Sequence, residues 1–262
     1  MKLLSIEWLK IRRYRTFWIL SALFLVFLPL WNYEIANGVV QMGGGGINIL
    51  SQAYTFPEVW SNLGWWGSIF ILFLAILIIT LTCNEFTFKT NRQNVIDGWS
   101  RMDFFQSKVL LVLTFSLITT LFVFLLGVIF GLSKSGSATG MFNHLEALGY
   151  FFILSLNYLG AALFMALWIR KSGLTISLYL LYAMIIEYAA ASIINHSTGT
   201  KIGNLLPLQA SDELLPFPLM KMAQSMIGKT EGFSDYTYVI ASLVWIAIYY
   251  FAARSMMLKR DL

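Results

Sequence analysis

Long apolar runs, each closed by a charged residue, set the rhythm of this chain. Residues 16–33, 59–84, 109–133, 147–169 and 236–253 contain no Asp, Glu, Lys or Arg, and residues 172–196 contain only Glu187 of that set. A helix rises about 1.5 Å per residue, so about 20 apolar residues cross the hydrocarbon core of a bilayer. The pattern predicts an all-α integral membrane protein with six transmembrane helices, at about residues 16–33, 61–84, 109–132, 147–169, 173–194 and 236–253. These fall in a single transmembrane domain, residues 1–262.

Three segments depart from that rhythm. Residues 2–15 read as an amphipathic helix at the inner interface. Leu4, Trp8 and Ile11 form its apolar stripe, and Lys10, Arg12 and Arg13 are placed to reach lipid phosphates. Trp8 among the cations favours an interfacial anchor over a basic flank without fixed structure. Residues 84–108, NEFTFKTNRQNVIDGWSRMDFFQSK, alternate polar and apolar positions and carry both signs of charge. That is long for a helix–helix connection, and it reads as either a solvated hairpin or a docking element for a partner. Residues 204–226 hold three of the five prolines, Pro207, Pro216 and Pro218, among Leu and Met. This stretch is too apolar for a free loop and too broken to cross the bilayer. It reads as a re-entrant pair of short outer helices, whose irregular backbone must bury against protein.

Composition agrees with a lipid solvent. Hydrophobic residues make up 58% of the 262 and charged residues 12%, against about 25% charged in soluble domains; the mean hydropathy is +0.71. An ordinary cytosolic enzyme, a disordered chain and a nucleic-acid-binding domain are excluded. The net charge of +5 is a topology signal. With both termini placed in the cytoplasm, fourteen of the eighteen Lys and Arg fall on that side, leaving Lys134, Lys201, Lys221 and Lys229 outside. The basic start runs straight into a full-length apolar segment, which reads as a retained signal anchor. The bacterial inner membrane is the expected location. Cys83, alone, forms no internal disulfide.

Few motifs carry chemistry. Residues 223–230, AQSMIGKT, fit a loose phosphate-loop pattern but follow a proline-broken segment, not a strand. The chain itself is expected to bind no ATP and no other cofactor. His144 and His196 are the only histidines, both near span boundaries, and no HExxH occurs, so no metal or catalytic site is expected. Asn195-His196-Ser197 matches a glycosylation triplet without other support, Gly127 and Gly131 form a GxxxG in the third span, and Gly43 to Gly46 read as a flexible connection. Glu187 lies inside the fifth span. A carboxylate there faces a bundle interior, a cavity or a partner, or it sits near the outer interface bonded to Tyr182, Tyr188 or a headgroup.

Two stretches carry a resemblance. EWLKIRRYR, residues 7–15, is similar to the E-x-x-K-x-x-R/K-R opening of ABC-2 type transporter permeases with the type V exporter fold. Residues 85–108 resemble that family's E-x-x-x-x-T/K … S-R-x-x-x-x-x-K segment, with Phe88-Lys89-Thr90 where Gly-Thr is common and Gly98-Trp99 where a proline often precedes Ser-Arg. The resemblance implies a cytoplasmic coupling helix between spans 2 and 3, around residues 92–105, seated on a separate ATP-binding cassette subunit that holds ATP and Mg. Glu85, Arg92, Asp97, Arg101, Asp103, Phe105 and Lys108 would serve that coupling. It also implies a second permease, either a copy of this chain or a paralogue. The scarcity of charge in the spans points to an exported amphiphilic or hydrophobic cargo: a lipid, lipid-linked glycan, peptide or drug. The alternative is an ABC-like membrane scaffold of a secretion, motility or sensing assembly.

Overall fold

The computed structural model describes residues 2–38, 52–90, 98, 100–217 and 232–259. The described residues are helical, with turns and no strand. Helix α1 is Lys2–Ile11. Six helices long and apolar enough to cross a membrane follow. They are α2 (Arg15–Ala36), α3 (Val59–Thr87), α4 (Arg101–Ser135), α5 (Glu146–Ile169), α6 (Ser172–Thr198) and, last in the chain, α8 (Asp235–Lys259). Between α6 and α8 lie a 3-10 turn, Ile202–Leu205, and a one-turn helix α7, Gln209–Asp212.

The helices overrun the charge-free windows because charge and capping chemistry continue them past the apolar core. The largest overrun starts α4. Ser100 caps it reciprocally with Asp103: the Asp103 amide donates to Ser100 Oγ at 3.0 Å and the Ser100 amide to Asp103 Oδ2 at 2.9 Å. The helix therefore begins at Arg101, and Arg101, Asp103, Phe105 and Lys108 belong to the third span's own first turns rather than to the preceding loop. At its far end Gly136, at φ +65°, closes α4 in the left-handed region that glycine adopts without strain. Of the expected coupling helix around residues 92–105, residues 92–97 and 99, with Arg92 and Asp97 among them, lie outside the described residues, as do Gly43 to Gly46 and residues 223–230.

Helix α5 is the hub, packing against α3, α4, α6 and α8. The two glycines of α4 make room for aromatic rings rather than for another helix backbone. A Cβ at Gly127 would come within 2.3 Å of the Trp60 ring, and one at Gly131 within 2.3 Å of the Phe56 ring. Trp60 stacks on Phe124 at 5.7 Å between centroids and donates its Nε1–H to the Met141 carbonyl at 3.0 Å. By contrast, α2, α6 and α8 leave many large apolar side chains exposed, among them Trp18, Ile19, Leu30, Ile185, Ile193, Ile240 and Phe251. Such faces need lipid or another membrane helix as their solvent.

Candidate functional site

One end of the bundle carries α1, the end of α3, the start of α4 and the α5–α6 turn. It is called the basic face below. Here Lys108 of α4 is buried between two carboxylates. Its ammonium donates to Glu7 Oε2 of α1 at 2.7 Å and to Glu85 Oε1 of α3. Lys10 lies 3.6 Å from Glu7 and 3.5 Å from Glu85, half-buried at the rim. Ser107 donates to the other Glu7 oxygen at 3.0 Å. Three chain segments distant in sequence thus meet in one ion cluster of two carboxylates and two ammonium groups.

Local sequence explains how each member reaches it. Glu7 and Ile11, four apart, share the buried stripe of α1, so Glu7 arrives on the face that packs against the bundle. Glu85 ends the apolar run of α3, two residues before the last helical position. Lys108 stands two turns into α4, where the capping box has fixed the helix register. Burial pushes the Glu7 carboxyl up, but the charges of Lys108 and Lys10 and the hydrogen bonds from Lys108 and Ser107 outweigh it. The result lies below the ordinary carboxylate value.

Neighbouring contacts tighten the same face. Asn84 donates to the Tyr14 hydroxyl at 2.8 Å, and the Arg170 guanidinium lies 4.7 Å from the Phe86 ring centroid. Phe105 is fully buried with its ring 5.3 Å from that of Tyr250 on α8. Of the residues named for coupling, Glu85, Phe105 and Lys108 are therefore packed inside the bundle, while Arg101 and Asp103 sit at its edge. Trp8, Arg12 and Arg13 are exposed. The face of α1 that packs against the bundle runs through Glu7 and Ile11, and Trp8 lies outside that face. Glu7 is the member not named as a site residue from the sequence; its place as the first residue of the EWLKIRRYR stretch was the available signal.

The opposite face is closed by the segment 202–217. Glu187, 1% exposed, leaves α6 just after a π-helical turn, Tyr182–Ile186, that shifts the register of the helix. Its Oε1 accepts the backbone amides of Leu208 and of Gln209, the latter at 3.0 Å. These are donors that the one-turn helix leaves unpaired. Glu187 therefore holds the cap in place rather than bonding a headgroup. Asn157 of α5 donates to Pro207 O at 2.6 Å and Ser211 Oγ at 3.0 Å, and Tyr158 and Tyr188 donate to Asp212. Trp245 of α8 donates to Leu205 O at 2.9 Å. Gly203 is required by close approach, since a Cβ there would meet the Ala191 carbonyl at 2.3 Å. The proline-rich segment is thus buried against protein over its described part; residues 218–226 lie outside it.

The histidines stand apart from this cap's hydrogen bonds. His144 is exposed and pairs with Glu146 at 2.8 Å, and His196 is exposed near the end of α6. Among the described residues no three His, Cys, Asp or Glu side chains converge to hold a metal ion.

A family model described as ABC-2 family transporter protein matches residues 3–186. The match takes in the whole ion cluster and ends one residue before Glu187, so the cap and α8 lie beyond it. No curated protein matches the chain.

Proposed function

Because the chain belongs to the ABC-2 family of transporter proteins, and is accordingly a multi-pass permease of an ABC transporter system, we propose that its basic face receives the motion of a separate ATPase subunit. The observation that carries this reading is the buried Glu7–Lys108–Glu85 cluster. Glu85 near the end of α3 and Lys108 near the start of α4 flank the connection between these helices and are bonded to each other across its base. A push on that connection moves the end of α3 and the start of α4 together, and Glu7 carries α1 with them. ATP and Mg belong to the partner, whose docking surface comprises the loop around Arg92 and Asp97 with Arg101 and Asp103 at its edge. Glu85, Phe105 and Lys108 transmit rather than touch the partner.

In this proposal the basic face is cytoplasmic, as are both termini, in a bacterial inner membrane. The exposed apolar faces of α2, α6 and α8 suit lipid and a second permease, a copy or a paralogue. The cargo is amphiphilic or hydrophobic and is exported. The support is that the buried polar groups of the spans are mostly uncharged Asn, Ser and Thr, away from the two clusters described.

Co-purification with the ATPase subunit tests the docking. Arg101→Glu combined with Asp97→Lys is expected to abolish association while the permease remains folded in the membrane. Undiminished association of that variant would place the partner elsewhere.

A further inference from the structure

An apolar groove runs between α4, α5 and α8, apart from both the ion cluster and the cap. It encloses about 120 Å³, with Phe105, Val109, Leu163, Phe164, Ile246 and Tyr250 among its walls. Phe105 and Leu163 are buried, while Val109, Phe164, Ile246 and Tyr250 are half-buried, so the groove is open along one side. Apolar walls give water no hydrogen-bond partners, and in a membrane-spanning bundle the open side faces hydrocarbon.

Helical register places an arginine at the same end of two of these walls. On α4, Arg101, Phe105 and Val109 stand four apart; on α8, Ile246, Tyr250 and Arg254 do the same. Residues four apart share a helix face. Helix α4 starts and α8 ends at the basic face, and the Phe105 and Tyr250 rings meet at 5.3 Å. Both arginines therefore stand one turn beyond that ring pair toward the basic face, about 6 Å at 1.5 Å per residue. Arg101 is half-buried and Arg254 exposed. The third wall carries Gly160, in the middle of α5. A glycine there costs helix stability relative to alanine, yet no neighbouring atom demands it. A Cβ would lie 3.9 Å from Tyr249 Cδ2, an ordinary contact, with nothing nearer. What the glycine keeps open is the groove itself.

We propose that this groove binds an anionic phospholipid of the leaflet bordering the basic face, with one acyl chain between α4, α5 and α8 and the phosphate beside Arg101 and Arg254. A chain matches the apolar walls, and paired basic positions at the headgroup end of a groove between membrane helices select a negative head. The site rests on the permease reading only in that the basic face lies at a membrane surface; it needs neither the ATPase subunit nor a cargo. Lipid binding is therefore measured on the permease alone and ATPase docking by co-purification, so either can fail without the other.

The test uses the full chain in phosphatidylcholine nanodiscs carrying a trace of phosphatidylglycerol with a diazirine on one acyl chain. Photolysis is followed by peptide mass spectrometry. Adducts are expected at residues 105–113, 156–164 and 246–253, above the yield on the exposed faces of α2 and α6. Unlabelled phosphatidylglycerol displaces the label more effectively than added phosphatidylcholine. Arg254→Gln, exposed and outside the ATPase docking surface, weakens that displacement about fivefold, the contribution of one basic residue near the surface. Gly160→Leu fills the groove and removes the adducts, whereas Gly160→Ala keeps them. In micelles, added phosphatidylglycerol raises the unfolding temperature of the wild type and leaves that of Gly160→Leu unchanged. Adducts no denser in the groove than on α2 and α6, as a second permease copy seated there would produce, overturn the proposal. So do equal displacement by the two lipids, wild-type displacement in Arg254→Gln, and groove adducts surviving in Gly160→Leu.

Discussion

Replacing Lys108 by alanine removes the buried cation between Glu7 and Glu85 and leaves only the half-buried Lys10 beside them. At the 2.7 Å separation from Glu7, and an effective dielectric of about 20, the pair's Coulomb energy is about 6 kcal/mol. Desolvation of the buried ions cancels part of it, and removing one partner of a buried pair costs about 3–5 kcal/mol. Lys10, whose side chain is 32% exposed, is screened by solvent, and its removal costs at most about 1 kcal/mol. Reversible unfolding in mixed micelles is therefore expected to rank Lys108→Ala far below Lys10→Ala. The triple change Glu7→Gln, Glu85→Gln, Lys108→Met is neutral or stabilising, because it removes all the buried charge at once. The wild-type cluster also confers a pH dependence. Glu7 is depressed when folded, so its stabilisation is present above its ordinary value of 4.5 and lost as pH falls through the folded value. Equal destabilisation by Lys108→Ala and Lys10→Ala, or a triple variant as unstable as Lys108→Ala, would refute the reasoning.

Other outcomes follow from single contacts. Gly127→Ala is expected to lower stability by about 1–3 kcal/mol through overpacking against Trp60, whereas Gly127→Ala in a Trp60→Leu background loses most of that cost; a double-mutant cycle reads the difference. Glu187→Ala leaves the Leu208 and Gln209 amides buried without an acceptor, at about 1–3 kcal/mol each, while Glu187→Gln keeps an oxygen for them and is much milder. Cap amide exchange separates the two, and equal loss in both would contradict the bracing role of Glu187. Ser100→Ala costs about 1 kcal/mol at the start of α4, seen as faster exchange of its first-turn amides with the rest of α4 unchanged.

The spans were readable in the sequence because lipid leaves one rule to satisfy, long runs without charge, and the six helices follow it. Their ends were not, because charges such as Arg101 and Lys108 that close an apolar window can themselves continue a helix once Ser100 and Asp103 cap it. The ion cluster was half legible. Glu85 and Lys108 stood out as charges at span boundaries, but their pairing depends on Glu7, more than 75 positions away from Glu85 in sequence by way of α1's buried face. Glu187 was legible as costly but not in its purpose, since its ligands are backbone amides that have no sequence signature. Asp212, Asn157 and Tyr158 were invisible for the same reason: only the folding back of the proline-rich segment onto α5 brings them together.

The most direct measurement is a nucleotide-dependent distance across the basic face. Cys83→Ser removes the native thiol, and spin labels at Arg12 and Lys171, both exposed, report the position of α1 against the α5–α6 turn in the complex with the ATPase subunit. ATP binding by the partner is expected to shift this distance in the chain with its ion cluster intact. In the Glu7→Gln, Glu85→Gln, Lys108→Met variant the complex still forms and the distance does not respond. A shift of the same size in that variant would show that the partner's motion enters the bundle by another route.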